Sequence, residues 1–370
     1  IVLDGLLGTH RLFSFLGPTY NVLIATFEIF AAAVVLAVGV FWLRRNALKI
    51  SRFWKPEMTA WPKNDANYIL YIEWVLMGLF LTMNAADYQL QLMDAAHYTK
   101  AGAFPVSSLL APLFENLSET SLILIERGAW WLHICGILFF LNYLYYSKHL
   151  HILLAFPNTY FAKLQPKGEM ENMTEIMNEV KSMMGLIEAD PDAPMDDLPE
   201  FGSNDVMNLD WKNVLGAYTC TECGRCTSVC PANITGKKLS PRKVMMDVRD
   251  RATEIGKKLD SGDMQWVKEE LRAEATMLTK ENFDDGKSLF DYISNEELHA
   301  CTTCNACVEA CPVLINPLDI ILKMRRYEIL TLSAGPGDWL PLFTSMENSG
   351  SVWQLPDARD KWAEEATSQN

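Results

Sequence analysis

Eight of the nine cysteines fall into two copies of one spacing, Cys220-x2-Cys223-x2-Cys226-x3-Cys230-Pro231 and Cys301-x2-Cys304-x2-Cys307-x3-Cys311-Pro312. Thiols at these intervals have to converge on something that soft thiolates bind. The spacing is that of a pair of [4Fe–4S] clusters, each iron taking one cysteine. Three sulfurs of each C-x2-C-x2-C stretch meet one cubane, and the fourth cysteine of each run serves the other cluster. The expected ligand sets are Cys220, Cys223 and Cys226 with Cys311, and Cys301, Cys304 and Cys307 with Cys230. Structural zinc sites use paired knuckles, and disulfide frameworks belong to small exported domains, so neither suits two complete runs. Cys135, the ninth, lies in an apolar run and reads as an inert thiol packed between helices.

Hydropathy separates the first 156 residues from the rest, and the formal charge of −14 averages an apolar half with an acidic one. Tyr20–Leu43 carries one ionisable residue, Glu28, and is long enough to cross a bilayer. Tyr68–Met83 is the weakest span, holding Glu73 and fading into Asn84, Asp87 and Gln89. A third run starts near Ser121 and stays apolar to Phe156, where Pro157 is expected to end it. Arg44, Arg45, Lys49, Arg52, Lys55 and Lys63 lie between the first two spans, whereas 94–120 holds only Lys100. Basic loops stay inside. By alternation the chain after Pro157, following Lys148, Lys163 and Lys167, is cytoplasmic, and the protein is a multi-pass inner-membrane protein.

Histidines give a second chemical signal. His133 and His151 are 18 residues apart, five turns of one continuous helix, so both rings would share a face about 27 Å apart along the axis. That separation suits two b haems, each iron taking an axial imidazole from this helix and one from a neighbour. His10 is at the depth to complete the outer site with His133, and Arg127 is placed to pair with a propionate. The bland alternative makes His133 a polar packing residue and His151 an interfacial one. No histidine completes the inner site, and the chain begins at Ile1, so upstream helices are expected to carry it.

The runs AYTCTECGRCTSVCPANITGKKLSPRKVMMDVRD and ELHACTTCNACVEACPV, with the histidine-bearing span, resemble membrane-bound iron–sulfur proteins of the heterodisulfide-reductase-related type. In that family a domain like the haem b (gamma) subunit of nitrate reductase is fused to a helical dicluster ferredoxin. Its relatives include electron-transfer-flavoprotein:menaquinone reductases. The resemblance runs from about Gly8 to Tyr327 and implies two b haems, additional N-terminal helices, and cysteine-rich CCG domains holding a further centre. No cysteine follows Cys311, so a CCG iron–sulfur subunit and any flavoprotein donor are expected on other polypeptides.

The expected fold class is therefore mainly α: a transmembrane helical bundle followed by a cytoplasmic α-helical dicluster ferredoxin domain. The divisions are a haem b domain at 1–157, a connector at 158–209, the ferredoxin domain at 210–330 and a tail at 331–370. Within the connector, Met170–Ile187 reads as helical, with Met173, Met177 and Met184 as a packing stripe, and Glu188–Glu200 reads as a solvated acidic linker. Gln265–Lys280 reads as helix between the two cysteine runs. Lys237, Lys238, Arg242 and Lys243 form a basic patch, either a docking site for an acidic partner or a solvated face. Trp339, Trp353 and Trp362 in the tail are candidate partner contacts. No G-x-G-x-x-G, Walker or C-x-x-C-H run occurs, which leaves nucleotide, nucleic-acid and covalent haem c readings without support.

The expected function is an electron-transfer subunit of a quinone-linked oxidoreductase. Electrons pass between a cytoplasmic donor and the menaquinone pool through two [4Fe–4S] clusters and b haems. Glu28, Glu73 and Asp87 are the candidates for proton handling, with pairing to helix ends or haem-site groups as the alternative. The second function reading is a redox-responsive membrane scaffold without quinone turnover.

Overall fold

A computed structural model describes residues 2–7, 11–98, 100, 102, 104–166, 168–187, 201–353 and 360–368. Among these residues the fold is helical, and the sole β-type pairing is an isolated bridge between Val267 and Phe283. The chain divides into two compact units, Ile1–Pro157 with Tyr218–Arg225, and Asn158–Ala217 with Cys226–Asn370.

The first unit is built on α1 (Pro18–Trp42), α2 (Trp61–Leu92) and α3 (Glu119–Leu144). Pro18 and Pro62 sit in the first turns of α1 and α2, where a missing N–H costs nothing. Ser118 caps α3, its hydroxyl accepting from Ser121 N at 3.3 Å. With a π-type extension to Ala47 on α1, the three helices are long and apolar enough to cross a membrane. α2 packs between the other two. Ala86, Leu90 and Leu122 form one buried cluster with Ala95, and Met83, Ala129 and Trp130 form another. Outward faces carry Ile29, Phe30, Leu36, Leu124, Leu132 and Phe139, all exposed, which is the pattern lipid-facing helices need.

Several expectations change here. The middle helix is not a short, fading span: α2 runs 32 residues and buries Asn84, Asp87 and Gln89. The third apolar run is not one helix either. α3 ends at Leu144, Ser147 caps a 3-10 turn by accepting from His149 N at 3.1 Å, and α4 (His151–Tyr160) starts anew with Pro157 inside it. His133 and His151 therefore share no helix face, and the five-turn phase relation between their rings does not hold. Cys135 is exposed rather than packed between helices.

In the second unit α5 (Thr174–Met183) covers the core of the Met-rich stretch; Lys167 and the acidic Glu188–Glu200 segment lie outside the described residues. After α6 (Trp211–Thr219), α7 (Pro241–Ser261) is set by Ser240 as cap, Pro241 in its first turn and Gly262, at φ 64°, closing it. Gln265–Lys280 is not helical: it folds into two 3-10 turns, where Arg272 Nη2 donates to the carbonyls of Gln265 and Val267 at 3.0 and 3.1 Å. α8 (Asn295–His299) opens with a capping box between Ser294 and Glu297. α9 (Pro317–Arg326) supplies Ile320, Ile321 and Met324 to the core.

The basic patch dissolves into separate roles. Arg242 is fully buried, Lys243 binds Asp247 at 2.8 Å and Glu297 at 3.1 Å, and Lys238 binds Glu296 at 2.5 Å. In the tail, α10 (Trp339–Ser349) stacks Trp339 edge-on against His299 of its own unit, at 4.8 Å between ring centres. Trp353 and Trp362 remain exposed.

Candidate functional site

The two cysteine runs adopt the same backbone. In the first, Glu222 and Gly224 flank Cys223 with φ 56° and 72°; in the second, Thr303 and Asn305 flank Cys304 with φ 55° and 60°. Left-handed residues on either side of the middle cysteine turn the chain sharply, which a regular helix or strand cannot do. A four-residue helix follows in each, Arg225–Ser228 and Ala306–Glu309, before the fourth cysteine and its proline.

Cys230, Cys301, Cys304 and Cys307 line one small cavity with Pro231, Leu239, Pro241, Leu318 and Ile321. Cys230 comes from the first run and the other three from the second. Thr303 N donates to Cys301 Sγ at 3.4 Å, and Arg325 Nη2 donates to the Cys301 carbonyl at 2.7 Å. Burial, then Cys301 and Cys230, push the Cys307 thiol up to about 12, and burial raises Cys301. Thiols raised in this way become thiolates only beside a cationic centre. Of the other four, Cys220 and Cys223 belong to the first unit, and Cys226 and Cys311 to the second; Ile315 N donates to Cys311 Sγ at 3.4 Å.

Residues 219–315 match the model of the 4Fe–4S dicluster domain. The chain carries a dicluster ferredoxin domain. It is 30% identical to the probable iron-sulfur-binding oxidoreductase FadF of Bacillus subtilis, over 95% of this chain and 48% of that protein. It is 26% identical to the EtfAB:quinone oxidoreductase of Syntrophomonas wolfei, over 85% and 42% respectively. A probable membrane-anchored ferredoxin of Chromohalobacter salexigens is 29% identical, over 47% of this chain and 25% of its own length. The chain thus spans about half the length of the first two relatives. No solved structure matches it. A dicluster ferredoxin joined to apolar helices makes this an iron–sulfur electron-transfer protein.

The first unit holds a second site, a cavity of about 570 Å³ between the helices. Its walls include Phe27, Phe80, Phe104, Trp130 and Ile137, while Asp4, Arg11, Tyr20, Asp87, Glu126 and Arg127 make it polar elsewhere. His133 lines it, 6% exposed, with Nδ1 against the Leu76 carbonyl at 2.9 Å. Arg11 is buried and binds Asp87 at 2.5 Å. Arg127 forks onto neighbouring Glu126, which also accepts from the Tyr98 hydroxyl at 3.2 Å. Arg11 and Glu126 carry no sequence signal for this role, because only the fold brings them to this cavity. His10 lies outside the described residues.

The proton-handling candidates separate. Glu28 is fully buried and accepts from Asn84 Nδ2 at 3.0 Å and from the backbone N–H groups of Val106 and Ser107 at 3.0 and 3.2 Å, holding the start of the short helix Ser107–Leu110. Asp87 lines the cavity. Glu73 is 3.7 Å from His149 Nε2. His151 packs edge-on against His149 at 5.4 Å, and its Nδ1 meets the Lys148 carbonyl at 3.0 Å.

At this end of the unit Asp65, at the start of α2, accepts from Tyr143 Oη at 2.5 Å and from Lys148 N at 3.0 Å. The Lys148 ammonium donates to the Pro62 carbonyl at 2.5 Å and forms an ion pair with Glu222, between the first two cysteines; both side chains are buried. Burial lowers the Lys148 pKa, and Glu222 pulls it back up.

Proposed function

We propose that this chain is the membrane-bound electron-transfer subunit of a quinone-linked oxidoreductase, carrying electrons between a cytoplasmic donor and the quinone pool. The observation that carries the reading is the convergence of Cys230 with Cys301, Cys304 and Cys307 on one cavity, in a chain that also has three membrane-length helices. Two [4Fe–4S] clusters supply one-electron transfer when bound. Cys230, Cys301, Cys304 and Cys307 would hold one, and Cys220, Cys223, Cys226 and Cys311 the other. The backbone donors on Cys301 and Cys311 draw charge from the sulfurs, and Arg325 adds a cation near Cys301.

The large cavity fits a b haem on the evidence of its donor set. His133 presents a ring whose Nδ1 is already held by a carbonyl, the arrangement of a metal-ligating histidine that uses Nε2. Arg11 and Arg127 stand on the same cavity for propionates, and Phe27, Phe80, Phe104 and Trp130 offer apolar walls for the ring. His151, its Nδ1 held by Lys148 in the same way, is the proposed ligand of a second haem. Asp87 and Glu73 remain the groups we assign to proton exchange with a quinone, since Glu28 is committed to a helix start. The relative named EtfAB:quinone oxidoreductase supports a quinone as substrate and a flavoprotein as donor.

The whole chain, purified anaerobically from membranes, should contain about eight irons and eight sulfides. It should also show a b-type absorption spectrum that a quinol reduces. Replacing His133 with alanine should remove part of that spectrum. An unchanged spectrum refutes the haem assignment, and a preparation without iron and sulfide refutes the whole reading.

A further inference from the structure

Lys148 is bound at both ends of its residue. Its ammonium forms a buried ion pair with Glu222, with side-chain exposures of 7% and 2%, and its carbonyl oxygen meets His151 Nδ1 at 3.0 Å. Its own N–H is held by Asp65 and its ammonium also by the Pro62 carbonyl, so the residue is fixed to the start of α2. Glu222 is the non-glycine residue of the first cysteine loop that sits in the left-handed region, at φ 56°, one position before Cys223. A non-glycine residue adopts that conformation at a steric cost. A carboxylate placed there, buried and paired, is a charge located next to a cluster ligand. The matching position of the second run is Thr303, which carries no charge.

We infer that Lys148 is a positioning residue for electron transfer: its side chain neutralises and anchors Glu222 beside Cys223, and its carbonyl holds the His151 ring. One residue thereby joins the first cysteine loop to the histidine and sets the charge felt by the cluster that Cys220 and Cys223 bind. The inference rests on the functional reading above, and it adds a sign that reading does not contain. Losing the cation leaves a buried anion near the cluster and makes reduction harder; losing the anion leaves a buried cation and makes it easier.

The test is a potentiometric titration of both cluster signals by electron paramagnetic resonance in the whole purified chain. Lys148→Met should lower the midpoint of one cluster by about tenfold in its reduction equilibrium, about 59 mV for one electron. Glu222→Gln should raise the same midpoint. The double variant should return close to the parent, and Lys148→Arg should keep the parental value. A purely structural role would move both single variants the same way. Shifts of the same sign, or two clusters that titrate unchanged in both variants, overturn the inference while leaving the functional reading intact. If Lys148→Met fails to insert, the direction of the Glu222→Gln shift decides alone. A parent without cluster signals takes down both.

Discussion

Alanine at Cys230 tests which cysteines act together. Cys230 stands in the first run of the sequence, yet it lines the cavity of Cys301, Cys304 and Cys307. Each cluster accounts for half of the iron, so Cys230→Ala should lower the content from about eight to about four per chain. Single variants cannot distinguish crossed from uncrossed ligation, because either loses one cluster. Pairs can, since two substitutions in one cooperative unit cost no more than one, whereas substitutions in separate units add. If Cys230 works with Cys304, the double variant Cys230→Ala/Cys304→Ala keeps about four irons, and Cys230→Ala/Cys226→Ala keeps close to none. Uncrossed ligation inverts the two results. Iron and acid-labile sulfide assayed on anaerobically purified protein give the answer, with the resonance signal of the surviving cluster as a check. Near-zero iron in Cys230→Ala/Cys304→Ala, beside about four in Cys230→Ala/Cys226→Ala, would refute crossed ligation.

Gly202 has φ 84°, and a Cβ there would stand 2.2 Å from the Lys323 carbonyl oxygen and 2.4 Å from Tyr327 N, both backbone atoms. Gly202→Ala should therefore destabilise the ferredoxin unit by about 3 kcal/mol, combining left-handed strain with overpacking, read as a lower guanidinium midpoint for loss of cluster absorbance. Burial holds the Asp247 carboxyl up at about 6, against its partner Lys243. A raised carboxyl binds its proton more tightly folded than unfolded, so stability falls as pH climbs from about 4 through 6. Asp247→Asn should flatten that part of the denaturation profile, and a slope that persists unchanged would assign it to another group.

The metal chemistry was legible because spacing itself carries it: ligand intervals survive any uncertainty about helices. Helix continuity was not. Residues 121–156 are predominantly apolar, and hydropathy does not register a break made by Ser147 capping a turn and Asp65, some 80 positions earlier, capturing Lys148 N. The Ser147-Lys148-His149 sequence carried a local signal for that break. Glu28 stands out in sequence as an ionisable group in a span, but its partners Asn84, Val106 and Ser107 are far away along the chain, so its task emerges only from the fold. Gln265–Lys280 has helix-favouring composition, overridden by Arg272 folding back onto two carbonyls. The basic run 237–243 looks uniform in sequence, and burial of Arg242 with local pairing of Lys238 and Lys243 divides it.

Thr-Glu in one cradle and Thr-Thr in the other trace the same turn, with the middle cysteine flanked by matching torsions. Backbone shape therefore gives neither cradle an advantage in accepting an electron. On the tuning proposed above, the difference between them lies in what surrounds each turn, Glu222 and Lys148 at one and Arg325 at the other, where a single substitution would tilt it without disturbing how the metal is held.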